Sequence, residues 1–311
     1  MFFAHVNSPN PKALVHADPL RFGDSFDREC ASVKRNDVLA SRLRMNPIPT
    51  TRAFWDNAAE TYDRDFTETV VGKTRRKAVW RELDRLFGMG QRVLELNCGT
   101  GVDALHLAER GVKVFACDIS SRMVKLARER VVSAGFGNAV EFQVLATEEI
   151  GKLDTEIPFD GVFSNFSGLN CVQNLAATAD DVARLVRSRG RILLCMIGRF
   201  VPWDIVWYGI HGDFRRAVQR LGRGTSRNIA GGFMTVHYPS VREIAGAFGP
   251  GFALRKWGGV GIGVPPSYME HWARRLPRIT SGLAAADLFL GSVPLLRNMA
   301  DCVLLEFERR V

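Results

Sequence analysis

The sequence of 311 residues lacks the cysteine patterns that mark metal-binding and disulfide-stapled proteins. Its six cysteines include no CxxC pair and no cluster with the spacing of zinc ligands, so we expect no metal site. Cys117, Cys195 and Cys302 stand in apolar segments, and we expect them to be buried and reduced. This usage is typical of a cytoplasmic enzyme.

Long hydrophobic runs and targeting signals are also lacking. The longest apolar segment, Gly282 to Leu296, is interrupted by Asp287 and Pro294, and it is too short to predict a transmembrane helix. The first residues, MFFAHVNSPN, show no basic region followed by a long apolar stretch, so no signal peptide is expected. We therefore expect a cytoplasmic location.

Dense runs of one charge are absent, although the formal net charge is +9. The absence argues against a basic nucleic-acid-binding tail. The excess of basic residues leaves nucleic acid, anionic lipid or a phosphorylated carrier open as partners. The alternative is that the charge is scattered over the surface and has no specific partner. Residues 1–50 show no sustained periodicity, and we interpret them as an extension, partly disordered, that precedes one domain over 51–311.

The order of apolar and helical segments predicts an α/β fold. Helical patterns separate most of the strand-like segments, which stand at 92–96, 113–117, 140–145, 161–165, 191–197, 252–257 and 302–307. Such alternation is typical of a mainly parallel sheet with helices on both faces. The alternation stops at about 199–235, a segment rich in aromatic and basic residues, which we expect to be an insertion between the fifth and sixth strands.

The most informative segment is VLELNCGTG, residues 93–101, followed by VKVFACDIS, residues 112–120. It predicts a strand, a glycine-rich turn, a helix and a second strand that ends at Asp118. Gly99 and Gly101 let the backbone approach a ligand, and Asp118 can accept hydrogen bonds from ribose hydroxyls. The pattern indicates a cofactor with an adenosyl or nucleotide group.

A nicotinamide-dependent oxidoreductase is one alternative, because GTGVDA at 99–104 also fits the pattern G-x-G-x-x-A. Three features argue against it. About forty residues of helical pattern precede the first strand, and a helix and a strand follow the complete α/β series. Glu95 would also repel a pyrophosphate, whereas it suits a cofactor with a cationic amino end.

With these motifs, residues 51–311 resemble the class I S-adenosylmethionine-dependent methyltransferases. The resemblance implies a Rossmann-like, doubly wound sheet of seven strands, mostly parallel with an antiparallel last strand, and S-adenosyl-L-methionine as cofactor. It implies cofactor contacts from Tyr62, Glu95, Asn97, Gly99, Gly101, Asp118, Ile119, Met123, Ala146, Thr147 and Asn165. Two positions depart from the family pattern: Asn97 replaces its first glycine, and Leu145 replaces an aspartate that often faces the adenine.

The resemblance also assigns roles within this set. The turn and Glu95 hold the methionine part, Tyr62 reaches its carboxylate, and Asp118 binds the ribose. The adenine packs on Ile119 and Met123 and contacts the backbone of Ala146 and Thr147, while Asn165 lies near the transferred methyl group.

The expected reaction is an in-line methyl transfer to a small-molecule or lipid-like acceptor, apolar or anionic, with O-, N- and C-methylation all open. We expect the insertion at about 199–235 to form a helical lid over the acceptor; the alternative is that its aromatic residues close a small core. His211 is the first candidate for a base, before His237 and Tyr238. Other functions that stay open are an RNA methyltransferase and a cofactor-binding protein without activity.

Overall fold

The computed structural model describes the backbone of residues 48–229 and 232–311, and the side chains of 50–226 and 234–311. Its strands are β1 (Arg92–Leu96), β2 (Lys113–Asp118), β3 (Val140–Val144), β4 (Phe159–Ser164), β5 (Val186–Ile197), β6 (Gly224–Ile229), β7 (Gly232–His237), β8 (Phe252–Val260) and β9 (Cys302–Arg309). The extension predicted for 1–50 lies outside the described residues, apart from the start of the first described helix.

The described helices connect these strands and also open the chain. They are α1 (Ile48–Ala58), α2 (Val70–Leu86), α3 (Val102–Glu109), α4 (Ser121–Ser133), α5 (Leu175–Leu185), α6 (Pro202–Ile210), α7 (Phe214–Val218), α8 (Val241–Phe248), α9 (Glu270–Arg275) and α10 (Pro277–Leu290). A π-helical turn, Asp63–Thr67, links α1 to α2.

Seven strands form one sheet in the order β3-β2-β1-β4-β5-β9-β8. The first five of these pair in parallel, whereas β9 runs antiparallel to β5 and β8. The strand order reverses between β1 and β4, and ligands bind such sheets at the carboxyl ends of the strands beside this reversal. The predicted sheet is thus confirmed.

Both faces of the central strands are covered, which explains their near-continuous apolar sequences. Val93 of β1 belongs to a core with Leu83 of α2 on one face, and Leu94 belongs to a core with Val182 of α5 on the other. The predicted burial of Cys117, Cys195 and Cys302 is confirmed, with exposed fractions of 0%, 2% and 1%.

Side-chain caps fix the points at which helices begin after the strands. Ser120 Oγ accepts a hydrogen bond from Met123 N (3.1 Å) at the start of α4. Ser240 and Glu243 form a reciprocal capping box at the start of α8. The cap at Ser120 matters most for the site, because it sets the turn that follows Asp118.

The insertion between β5 and β8 is not helical throughout, which differs from the predicted helical segment. After α6 and α7 it forms an antiparallel hairpin from β6 and β7. Met234, Val236 and Tyr238 alternate along the chain and are buried in a cluster with Phe54 of α1 and Met123 of α4. This period of two favours a strand, and the flanking glycine-rich sequence conceals it from a search for helices.

A buried ion-pair network joins the insertion to the sheet. Arg220 Nε lies 2.8 Å from Asp204 Oδ2 of α6, and its Nη2 lies 2.9 Å from Asp301 Oδ1. Asp301 also pairs with Arg75 of α2. Burial acts to raise the pKa of Asp301, but the two arginines outweigh it and hold that pKa well below its usual range.

Among the residues that the structure describes, no helix is both long enough and apolar enough to cross a membrane. The same part of the chain brings together no group of three or more His, Cys, Asp or Glu side chains that could hold a metal ion.

Candidate functional site

The turn after β1 passes through three left-handed backbone conformations. Asn97, Gly99 and Gly101 have φ angles of 57°, 53° and 75°. Asparagine adopts this conformation more readily than most residues with a side chain. Its presence at the first of these positions is therefore compatible with the tight turn that the sequence predicts.

The two glycines of this turn serve different purposes. A Cβ at Gly101 would lie 2.6 Å from the Cβ of Ala127, so glycine is needed for α3 to approach α4 this closely. A Cβ at Gly99 would meet no atom within 4 Å, because this residue lines an open cleft. Gly101 thus maintains packing, and Gly99 leaves the backbone accessible to a ligand.

Asp118, at the end of β2, is held beside this turn by two backbone N–H groups. Its Oδ2 accepts a hydrogen bond from Gly99 N (3.0 Å) and its Oδ1 accepts one from Ser120 N (2.9 Å). Burial raises the pKa of the carboxyl to about 6, and the two backbone hydrogen bonds limit the rise. Each oxygen keeps acceptor capacity for a further donor, as ribose hydroxyls would provide.

A second polar cluster is centred on Asp103, in the first turn of α3. Asp103 Oδ2 accepts hydrogen bonds from Arg76 Nη1 (2.5 Å) and Asn165 Nδ2 (2.9 Å), and Oδ1 accepts one from Trp80 Nε1 (2.6 Å). Burial acts to lower the pKa of Arg76, but the Asp103 carboxylate outweighs it, so that pKa is raised. The guanidinium also lies 5.0 Å from the centre of the Phe166 ring.

Both clusters line one cleft at the carboxyl ends of β1 and β4. It holds about 40 Å³ of free space, which is small for a nucleoside. The cleft contains seven of the residues predicted from the sequence: Tyr62, Asn97, Gly99, Asp118, Ile119, Met123 and Asn165.

The other predicted cofactor residues lie behind this lining. Ala146 and Thr147 are buried, and Thr147 Oγ1 accepts a hydrogen bond from Asn97 Nδ2 (2.9 Å). Thr147 therefore supports the turn through Asn97. Gly101 stands under the turn, against α4, as its packing on Ala127 requires.

Glu95 lies within β1 and is 1% exposed. Burial, followed by the charge of Asp103, raises its pKa well above the usual range of a carboxyl. Its Oε2 has no hydrogen-bond partner in the described part of the chain. A ligand group that donates a hydrogen bond would satisfy this buried acceptor.

The N-terminal segment covers the cleft and is fastened to its rim at two points. Asp56 of α1 accepts a hydrogen bond from Ser120 Oγ (2.6 Å). Asp63 of the π-helical turn accepts one from Thr100 Oγ1 (2.7 Å) and pairs with Arg130 of α4. Tyr62 lies between these two points, beside Trp55 and Phe66, so the segment also supplies part of the cleft wall.

Sequence reasoning does not identify Arg76, Trp80 or Asp103. An acidic residue inside the glycine-rich motif is the one available signal for Asp103. Arg76 and Trp80 stand in an amphipathic helix that is rich in charged residues, and nothing local separates them from surface positions. Their role follows from the packing of α2 against the start of α3.

His211 lies outside the cleft lining, at the carboxyl end of α6, and is exposed. Its Nδ1 is 2.7 Å from the carbonyl oxygen of Trp207, and the two rings are 4.4 Å apart. Of the weaker candidates, His237 is the last residue of the hairpin strand β7, and Tyr238 follows it. A larger cavity of about 350 Å³ lies elsewhere, between α2, β8 and α10.

Comparisons with known proteins agree with this geometry. Residues 93–190 match a family model described as a methyltransferase domain. The tRNA 5-carboxymethoxyuridine methyltransferase of Escherichia coli K12 is 32% identical over 110 residues, which are 34% of this chain but only 42% of that relative. The demethylmenaquinone methyltransferase of Mycobacterium marinum is 28% identical over 193 residues, which are 60% of this chain and 77% of that relative.

Solved structures share the fold. The magnesium protoporphyrin IX methyltransferase of Synechocystis, with bound SAH, matches with a TM-score of 0.52 and 16% identity over 85% of this chain and 100% of that one. The CcbJ methyltransferase of Streptomyces caelestis matches with a TM-score of 0.53 and 18% identity over 82% of this chain and 97% of that one. Residues 93–190 therefore match a methyltransferase domain, and the chain shares the fold of these solved methyltransferases.

Proposed function

We propose that this chain uses S-adenosyl-L-methionine to methylate a small, lipid-like acceptor. The observation that carries the proposal is the charge arrangement of one cleft. Asp118 stands beside the glycine turn, and the Asp103–Arg76 pair stands at the start of α3. A ligand with ribose hydroxyls, a carboxylate and an ammonium group matches these partners.

Each part of the cofactor has a matching group in the chain. Asp118 would accept the ribose hydroxyls, and Ile119 and Met123 would pack on the adenine. Arg76 is the one cation among the described residues that line the cleft, so it would bind the carboxylate. Glu95 Oε2, which has no hydrogen-bond partner in the described chain, would be the acceptor for the ammonium group.

The same charges disfavour a nicotinamide dinucleotide. Two carboxylates, Asp103 and Asp118, line the cleft, and both would repel a pyrophosphate. Calorimetry with S-adenosylhomocysteine and with NAD⁺ separates these ligands, and we expect binding of the first alone. Tight binding of NAD⁺ without binding of S-adenosylhomocysteine would overturn the proposal.

The bound sulfonium supplies an electrophilic methyl group, and the chain supplies position. Asn165 stands after β4, where its amide is fixed by Asp103, so it would line the path between the cofactor and the acceptor. In-line displacement gains most of its rate from such alignment and needs no nucleophile on the protein. A base is required only if the acceptor is a hydroxyl or an acidic carbon, and His211 is the candidate.

A lipid-like acceptor is favoured by the demethylmenaquinone methyltransferase, which matches over 77% of its own length. The insertion after β5 would act as a lid, because it follows the sheet edge at which ligands bind and carries aromatic side chains. Transfer of labelled methyl from S-adenosylmethionine into material extracted by organic solvent tests this acceptor class.

RNA is the second candidate acceptor, and the observation in its favour is the 32% identity to the tRNA methyltransferase of Escherichia coli. The short segment that matches leaves most of that relative's length unmatched. Incorporation of labelled methyl into total tRNA, with none in lipid extracts, would favour RNA over a lipid-like acceptor.

A further inference from the structure

Helix α10 exposes no charged residue after Arg278, although much of its surface faces solvent. Its charged residues are Arg278 and Asp287, and Asp287 is buried because its carboxylate accepts backbone hydrogen bonds from the loop 261–266. Positions on the exposed side hold Ala285 and Phe289, and Phe289 is 73% exposed. A solvent-facing helix side without charged residues is an apolar surface of the kind that is normally buried in protein or lipid.

Helix α4 shows what an ordinary surface helix of this protein looks like. Its buried positions are apolar, and its exposed positions include Arg122, Lys125, Arg128 and Glu129. The exposed side of α10 lacks such residues beyond its first turn. The difference is therefore a property of α10 and not of the whole surface.

Helix α6 repeats the pattern of α10. Its one charged residue, Asp204, is buried against Arg220 and Tyr268. Val206 and Ile210, one helical turn apart, are 59% and 73% exposed, and Phe214 at the start of α7 is 72% exposed. Exposed apolar side chains at such spacing form a stripe on the surface.

The two helices flank one loop. Trp203 Nε1 of α6 donates a hydrogen bond to Ile262 O (2.8 Å), and the next residue, Gly263, donates its N–H to Asp287 of α10 (2.6 Å). The Tyr208 and Tyr268 rings, 5.2 Å apart, join α6 to the segment that leads into α9. We use the name apolar platform for the exposed side chains of Val206, Ile210, Phe214, Trp272, Ile279 and Phe289.

Positive charge borders the apolar platform on the side of α9 and α10, whereas on the side of α7 the half-exposed Asp213 pairs with Arg216. Residues 271–298 contain one acidic residue, the buried Asp287, whereas Arg274, Arg275 and Arg278 are exposed. Tryptophan, aliphatic side chains and arginines together are typical of a protein surface that lies in the interface of an anionic bilayer.

We propose that the apolar platform docks on an anionic lipid bilayer. The apolar side chains enter the boundary between headgroups and acyl chains, and the three arginines meet headgroup phosphates. A second copy of this chain is a poorer occupant, because a symmetric contact would bring two basic surfaces together. The proposal stands on surface chemistry alone and does not depend on methyl transfer.

Vesicle flotation of the full chain tests the proposal. We expect the protein to float with vesicles of phosphatidylcholine and phosphatidylglycerol at low salt, and much less with phosphatidylcholine alone. Added salt should reduce flotation, because it screens the arginines. Equal flotation with both vesicle types, or none with either, would overturn the proposal.

Variants locate the docking surface. Replacing Arg274, Arg275 and Arg278 together by alanine should weaken binding to anionic vesicles about 100-fold, since each arginine near such a surface contributes about fivefold. The matched control replaces three exposed basic residues of α2, Lys73, Lys77 and Arg81, by alanine and should bind nearly as the parent does.

A second pair of variants tests the apolar contribution. The double variant Ile279→Ser/Phe289→Ser should lose flotation, whereas Ile157→Ser, at an isoleucine that is 66% exposed elsewhere, should keep it. Thermal midpoints and S-adenosylhomocysteine binding equal to those of the parent would show that the double variant is folded. If it floats like the parent, or if the parent forms dimers that the variant lacks while neither binds vesicles, the bilayer is not the occupant.

Discussion

Asp118 Oδ2 lies 3.0 Å from the backbone nitrogen of Gly99, and this hydrogen bond joins the end of β2 to the turn after β1. The carboxylate is thereby oriented before any ligand arrives, with its second oxygen held by Ser120 N. A preorganised acceptor avoids the cost of ordering a side chain upon binding.

The Asp118→Asn substitution should weaken S-adenosylhomocysteine binding by about 10- to 100-fold. Hydrogen bonds to a charged group contribute about 1.5–3 kcal/mol, and the amide can replace only part of them. Isothermal titration calorimetry measures the change. Asp180→Asn, at an exposed position of α5, is the control and should bind like the parent. Equal affinity in both variants would remove Asp118 from the site.

Cofactor binding should weaken as the pH falls through about 6, the pKa to which burial raises Asp118. Only the ionised carboxyl accepts both ribose hydroxyls, and their hydrogen bonds lower its pKa in the complex. Below pH 6 the ligand must therefore displace a proton, so the Kd should rise by up to about tenfold per pH unit. Binding titrations across this pH range measure how steeply the Kd changes with pH. In Asp118→Asn this dependence of the Kd on pH should be absent.

Arg76→Met should weaken binding of S-adenosylhomocysteine but leave binding of adenosine, which lacks the carboxylate, unchanged. The substitution also leaves Asp103 as an uncompensated buried charge, with an expected loss of stability of about 3–5 kcal/mol. The double variant Arg76→Met/Asp103→Asn should recover part of that stability without recovering affinity. A parallel loss of affinity for both ligands would indicate a collapsed cleft instead of a lost contact.

Substitutions at the two glycines of the turn should separate stability from binding. Gly101→Ala forces a Cβ against Ala127 and should cost about 2–4 kcal/mol of unfolding free energy. Gly99→Ala meets no neighbour, so it should cost about 1–2 kcal/mol for its left-handed backbone and mainly reduce cofactor affinity. Urea unfolding measures the loss of stability, and calorimetry measures the loss of cofactor affinity. A larger loss of stability for Gly99→Ala than for Gly101→Ala would contradict the assignment.

His211→Ala should leave cofactor binding intact and reduce turnover if this residue is the base. The side chain is exposed and stands outside the cleft lining, so its loss should change the unfolding free energy little. Tyr238→Phe removes the hydroxyl of a weaker base candidate, which is buried after the hairpin. Its turnover is compared with that of His211→Ala. Unchanged turnover in His211→Ala would remove it from the mechanism.

Most elements of the central sheet are predictable because their signals are local. The run from Arg92 to Leu96, the following turn and the cap at Ser120 each depend on residues close in sequence. The hairpin β6–β7 is the main element that the sequence analysis misses. Apolar side chains at every second position are limited to Met234, Val236 and Tyr238. Burial of these side chains depends on α1 and α4.

The sequence by itself determined the cofactor class and one half of the cleft, because the strand, the glycine turn and Asp118 lie within 26 consecutive residues, 93–118. The tertiary structure decided the other half. Arg76 meets Asp103 across 27 positions, and Asp63 reaches Arg130 across 67, through packing that no local period encodes. The structure likewise places α6 and α10 beside one loop, since the hydrogen bonds of the Trp203 and Asp287 side chains to the backbone of that loop form only when the fold has brought these distant segments together.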